Sequence, residues 1–302
     1  MKRKIFLIGG IVLLVLMVLF IFGWIKTGEL LAAPKRQNNF TPKELGLNYE
    51  EAEIEVSGSK IKLWYIDAKS ETTIIFIPGW GGNRADFLTN GKDLILALFN
   101  SGLNLCFFDP RGLGESDEKL FAFGYFEAED TEKVMDWLKE RGKTKFILFG
   151  VSAGANCAIR VATKREEVVA TIADSPFYNL MNTEAYPRFL LHFFRILASL
   201  RLGFDLVDKL DLSNYQLSNI KNILLIAGEK DKICPPKEAK FVFEKVKEPK
   251  FFWIANVAHC EAALKYPKEY KEKLLSFLSS LGLLRPFFYF SFLIKLKREN
   301  AK

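Results

Sequence analysis

Ser152 sits in Gly150-Val151-Ser152-Ala153-Gly154, with glycines two residues before it and two after it. That spacing lets a chain turn sharply from a strand into a helix and lift a hydroxyl above a sheet. A serine hydroxyl is a weak nucleophile at neutral pH and needs a base to take its proton, a task ordinarily given to histidine. The sequence has two, His192 and His259. His192 falls within the apolar stretch Phe189–Leu197, whereas His259 closes Asn256-Val257-Ala258-His259, just after the apolar run Phe251–Ile254. A base acts from a rigid position beside the sheet, so His259 is the candidate. The base in turn needs a carboxylate that fixes its tautomer and stabilises the charged ring. Asp231, in Gly228-Glu229-Lys230-Asp231-Lys232-Ile233-Cys234, is the candidate; Asp174 is the second choice, and Glu229 reads as a solvated loop charge. Acyl transfer also needs donors aimed at the oxygen that becomes negative. The backbone N–H groups of Trp80, in Pro78-Gly79-Trp80-Gly81-Gly82-Asn83, and of Ala153 are the candidates for this oxyanion hole. The same glycines fit neither a dinucleotide fingerprint nor a phosphate-binding loop with its lysine.

Strands must position these groups. Short runs of branched and aromatic residues recur at Thr73–Ile77, Leu103–Phe108, Phe146–Phe149, Val168–Ile172, Ile223–Ile226 and Phe251–Ile254. Stretches of helical period such as Phe126–Arg141 and Ala155–Lys164 separate most of them, which predicts a parallel sheet covered on both faces. Before them, two alternating runs around Ser57-Gly58-Ser59 predict an antiparallel hairpin. Ligands of such sheets bind beyond the carboxyl ends of the strands, where Ser152, Asp231 and His259 all fall. Almost fifty residues separate the strand ending near Ala173 from the one starting at Ile223. This insertion, about 176–219 and apolar in its middle, predicts a lid.

Ile5–Ile25 carries no charge, and at about 1.5 Å per residue it matches the hydrocarbon thickness of a bilayer. It predicts one transmembrane helix. A cleaved signal peptide has a shorter apolar region, about 7–15 residues, and Leu31-Ala32-Ala33 is a poor cleavage site. Lys2, Arg3 and Lys4 precede the helix and favour a cytoplasmic amino terminus, with the catalytic domain on the other side. Lys26, Lys35, Arg36 and Lys43 nearly balance that count. Residues 1–4 are then a cytoplasmic end, 5–25 the span, 26–49 a linker, 50–282 the catalytic domain and 283–302 an aromatic and basic tail. The net charge of the 302-residue chain is +7, but residues 5–294 hold only +1 of it. The body thus lacks the basic face of a nucleic-acid binder. Cys106, Cys157, Cys234 and Cys260 show no C-x-x-C spacing. With two distant histidines they predict neither metal nor cofactor. Cys234 and Cys260 fall in the acid and base loops, where a bridge is conceivable in an oxidising compartment.

The chain resembles the α/β-hydrolase family of serine hydrolases over about residues 50–281. Four motifs in order carry the resemblance: the loop Gly79–Asn83, the loop Asp109–Ser116, the serine turn, and the Asp231 and His259 loops. The order Ser152, Asp231, His259 matches the family's. The resemblance implies an eight-stranded sheet, a Ser152-Asp231-His259 triad and a lid after the sixth strand. Two positions depart from it: Pro78, where many members have histidine, and Cys260, where glycine is common. The expected activity is that of a membrane-anchored serine hydrolase acting on small or lipid-like esters. A peptidase or thioesterase of the same fold is the enzymatic alternative, with Glu184, Asp205 and Asp208 available to hold an amino group. A non-catalytic scaffold on the membrane is the other.

Overall fold

Alternating side chains along the central strands face opposite sides of one sheet, so each strand feeds two cores. The computed structural model describes residues 2–118, 120–247 and 250–285. A long helix α1 (Lys2–Leu31) leads to β1 (Glu50–Val56), β2 (Ser59–Ile66) and β3 (Thr72–Ile77). Then come α2 (Asp86–Asn90), α3 (Lys92–Asn100), β4 (Asn104–Asp109), α4 (Tyr125–Lys139), β5 (Lys145–Val151), α5 (Ala153–Ala162) and β6 (Val168–Asp174). After them run α6 (Arg188–Leu202), α7 (Leu206–Leu210), β7 (Ile223–Gly228), α8 (Pro236–Lys245), β8 (Lys250–Ala255), α9 (Ala262–Lys265) and α10 (Pro267–Ser280).

The sheet has eight strands in the order β1-β2-β4-β3-β5-β6-β7-β8. β2 is antiparallel to both its neighbours, and β4 through β8 pair in parallel. Ile75, Ile77, Leu148 and Leu225 pack with Val134, Ile159 and Val242 on one face. Ile74, Phe76, Ile147 and Leu224 pack with Leu98, Leu274 and Leu278 on the other. This is the α/β-hydrolase fold, a mostly parallel sheet opened by an antiparallel hairpin and preceded by an apolar helix.

Two boundaries differ from the sequence reading. Helix α1 continues six residues past Ile25, because Lys26 pairs with Glu29 on its surface at 2.6 Å and leaves the helix intact. Its Phe6–Leu31 portion, 26 residues with mean hydropathy 3.0, is long and apolar enough to cross a membrane. The 26–49 stretch, expected as a linker, is tied to the domain. Leu31, Ala33 and Leu47 are buried, Arg36 Nε donates to the Gly81 carbonyl at 2.7 Å, and Asn38 donates to Asp109 at 3.1 Å. At the other end Leu283 and Leu284 pack on the core, and the Arg285 amide donates to the Ser101 carbonyl. The remainder of the aromatic tail, 286–302, lies outside the described residues.

Candidate active site

Strand register brings the expected groups to one rim. Ile77 lies beside Gly150, Val151 beside Asp174, Asp174 beside Ile226, and Gly228 beside Ala255. The chain leaves β3, β5, β7 and β8 at a common edge, and the order of the sheet reverses between β3 and β5, where such folds bind ligands.

Ser152 is the turn between β5 and α5 and has φ 56° and ψ −117°, a left-handed conformation that costs a non-glycine residue about 1–3 kcal/mol. The surrounding structure holds it there. Its amide donates to the Asp174 carbonyl at 2.8 Å, and Gly154 lies so close to β3 that a Cβ there would be 2.1 Å from the Ile77 carbonyl oxygen. The strain lifts the hydroxyl to 2.9 Å from His259 Nε2.

The other ring nitrogen, His259 Nδ1, is 2.6 Å from Asp231 Oδ2. Asp231 is buried, and its second oxygen accepts from the amides of Ile233 and Cys234 at 2.8 and 2.9 Å, which fixes the carboxylate plane. The acid and base loops are laced together: Glu229 and Lys230 amides donate to the Ala255 and Val257 carbonyls. Glu261 accepts from the Ala258 amide at 3.1 Å and braces the turn that carries His259. In this arrangement the carboxylate selects the tautomer with a proton on Nδ1, leaving Nε2 free to accept from the serine hydroxyl.

The Gly79–Asn83 loop abuts the serine, since a Cβ on Gly79 would fall 3.1 Å from Ser152 Cβ. Trp80 follows Gly79 in that loop, and Ala153 opens α5 directly after Ser152. The structure does not bring the remaining candidates to the imidazole. Asp174 accepts from Ser175 Oγ at 2.9 Å and from Tyr270 Oη at 2.8 Å, and burial raises its carboxyl above the usual range. His192 and Glu229 are exposed, the first on α6 and the second after β7. Cys234 and Cys260 are free thiols, so the bridge considered between them is not formed. Among the described residues no His, Cys, Asp and Glu cluster is arranged to hold a metal.

One contributor, Tyr270, carries no motif and escaped sequence reasoning, while Cys260 stood out only as a departure from the family's glycine. Tyr270 on α10 ties down Asp174, and burial drives its phenol far above the ordinary range, so it stays a donor. Cys260 adopts φ 58°, which explains why glycine suits this position, and its amide donates to Ser175 Oγ at 3.2 Å. Burial pushes its thiol well above the usual value and keeps it a neutral neighbour of the serine.

Residues 72–205 match the family model described as alpha/beta hydrolase fold, in agreement with the sheet order above. Protein bem46 of Schizosaccharomyces pombe is 26% identical over 221 residues, 69% of this chain and 69% of its own length. The lysophosphatidylserine lipase ABHD12 of Bos taurus is 25% identical over 247 residues, covering 76% of this chain. The match spans only 56% of that lipase's length. Among solved structures, the Pyrococcus furiosus esterase Pf2001 is similar with a TM-score of 0.68 and 26% identity, over 83% of this chain and 98% of that one. These similarities support a hydrolase.

Proposed function

We propose that the chain is a membrane-anchored serine hydrolase that cleaves carboxylic esters, acyl or lipid-like, through an acyl-enzyme. The observation that carries the reading is the continuous relay from Asp231 through His259 to Ser152, with contacts of 2.6 and 2.9 Å. In the proposed cycle His259 Nε2 takes the Ser152 proton as Oγ attacks the ester carbonyl. The tetrahedral oxyanion accepts hydrogen bonds from the Trp80 and Ala153 amides. Protonated His259 then returns its proton to the departing alcohol. Water, activated by the same nitrogen, releases the acid and regenerates the serine. Asp231 stabilises the imidazolium without itself taking the proton.

Two features favour an ester over a peptide with a free amino group. Glu184 pairs with Lys237, and Asp205 caps α7 while pairing with Arg195, so two of the three lid carboxylates that could hold an amine are engaged. The names of two similar proteins, a lysophosphatidylserine lipase and an esterase, point the same way. The apolar helix supports a single-pass anchor, and Lys2, Arg3 and Lys4 support a cytoplasmic amino terminus with the catalytic domain beyond the membrane.

Fluorophosphonate labelling of the detergent-solubilised chain tests the reading: Ser152 is the expected site, and Ser152→Ala abolishes the label. A panel of p-nitrophenyl esters beside aminoacyl anilides then separates esterase from peptidase. Labelling that survives Ser152→Ala removes the proposal, and turnover of anilides alone replaces the ester assignment.

A further inference from the structure

Helix α6, in the insertion between β6 and β7, is apolar on two opposite sides. Leu191 and Ala198 are buried against the body of the protein. About half a turn round the helix, Phe189, Ile196 and Leu200 fall within about 40° of one another, and they are 70%, 58% and 62% exposed. A water-facing helix surface ordinarily carries polar residues. The same helix has three arginines, Arg188, Arg195 and Arg201, and no acidic residue.

Between these two sides α6 packs on α1. Gly23 allows the contact, because a Cβ there would lie 2.1 Å from the Phe193 ring. Arg201 Nη2 donates to the Trp24 carbonyl at 2.7 Å, and its guanidinium lies 4.0 Å from the Trp24 ring centroid. The level of this contact is informative. From Ile5 to Trp24 the helix covers about 30 Å, one hydrocarbon thickness, so α6 joins α1 where the span leaves the lipid tails. Tryptophan favours this boundary, and the long arginine side chain can reach its charge out to it.

We infer that α6 is a second membrane-contacting element, lying in the interface of the bilayer that α1 crosses, with Phe189, Ile196 and Leu200 immersed among the acyl chains. The inference rests on α1 as a span and deepens the proposed function by naming where its substrate comes from. Leu30 and Leu31 lie about 10 Å beyond Trp24 along the helix axis, and their carbonyls accept from Trp80 Nε1 at 2.8 Å and from the Phe121 amide at 2.6 Å. The loop beside Ser152 is therefore held near the outer edge of the headgroup layer, which adds about 5–8 Å per leaflet. An ester-bearing amphiphile rises only that far to reach the serine, so the substrate class is a lipid of the same leaflet.

The test uses the full chain in phosphatidylcholine vesicles containing some anionic lipid, with an environment-sensitive thiol fluorophore at one introduced cysteine. Ile196→Cys and Leu200→Cys report on α6, Leu14→Cys on the middle of the span, and Glu229→Cys on the rim. The unsubstituted chain, treated identically, gives the background. Lipids with a nitroxide high on the acyl chain are expected to quench labels at 196 and 200 several-fold more strongly than at 229, and a deep nitroxide is expected to quench the label at 14. Quenching at 14 while 196 and 200 behave like 229 overturns the inference and leaves the anchor standing. No quenching at 14 removes the anchor reading, and the inference with it.

Discussion

The indole N–H of Trp80 donates to the Leu30 carbonyl across 2.8 Å, joining the loop beside Ser152 to the last turn of the apolar helix. A helix end leaves carbonyls without partners inside the helix, and here a side chain of the candidate site supplies one. Trp80→Phe keeps an aromatic ring, though a smaller one, and removes the donor. The expected loss is about 0.5–1.5 kcal/mol of stability, read as a lower thermal midpoint in detergent. The fluorophosphonate labelling rate also falls, but by less than the about hundredfold that follows outright loss of an oxyanion donor.

The two buried aspartates at the rim are distinguished by what they touch. Asp231 contacts the imidazole, whereas Asp174 is occupied by Ser175 and Tyr270. Asp231→Asn is expected to lower kcat on a p-nitrophenyl ester by about 10⁴-fold through the wrong tautomer. Asp174→Asn instead lowers the thermal midpoint and reduces kcat by less than about tenfold, since it reaches the base only indirectly. Equal losses of kcat would reverse the assignment.

Glycine matters unequally along the chain. Gly154→Ala drives a Cβ against the Ile77 carbonyl oxygen, a backbone atom that cannot swing aside. It should cost about 3 kcal/mol or more and disturb the serine turn. Gly142→Ala meets nothing within 4 Å and bears only its φ of 74°, a cost of about 1–2 kcal/mol. Chemical denaturation of both variants checks the contrast.

Glu127, buried beneath the loop before α4, accepts from the Ala122 and Gly124 amides at 2.9 and 2.6 Å. Burial pushes its carboxyl from 4.5 up to about 7. The folded state therefore holds the proton more tightly than the unfolded chain. Its contribution is complete below pH 4.5 and is lost as pH rises through about 7. The stability gap between the native chain and Glu127→Gln should shrink by about 3 kcal/mol between pH 4.5 and pH 8. A gap independent of pH would contradict it.

The order of strands and helices could be read in the sequence because burial on two faces writes nearly continuous apolar runs, as in Ile74–Ile77 and Ile223–Ala227. Ser152 and His259 could be read because their loops follow such runs. The choice between Asp231 and Asp174 needed more, since both follow strands at the same edge and only the direction of each side chain separates them. The seating of residues 26–49 left no trace: single carbonyls and isolated side chains such as Arg36 and Asn38 hold that segment, and such contacts have no period. Tyr270 is hidden for the same reason, being one polar tip on an otherwise ordinary amphipathic helix.

Ala33 packs with Leu113, Phe121 and Ala153, beside the start of α5, and Leu31 packs with Ala122, Phe177 and Cys234. Loss of the segment that carries these residues would leave a greasy hollow beside Ala153 and strip the Leu30 and Leu31 carbonyls from Trp80 and Phe121. The apolar helix and the α/β domain are thus one cooperative unit, and shedding the first would unsettle the second.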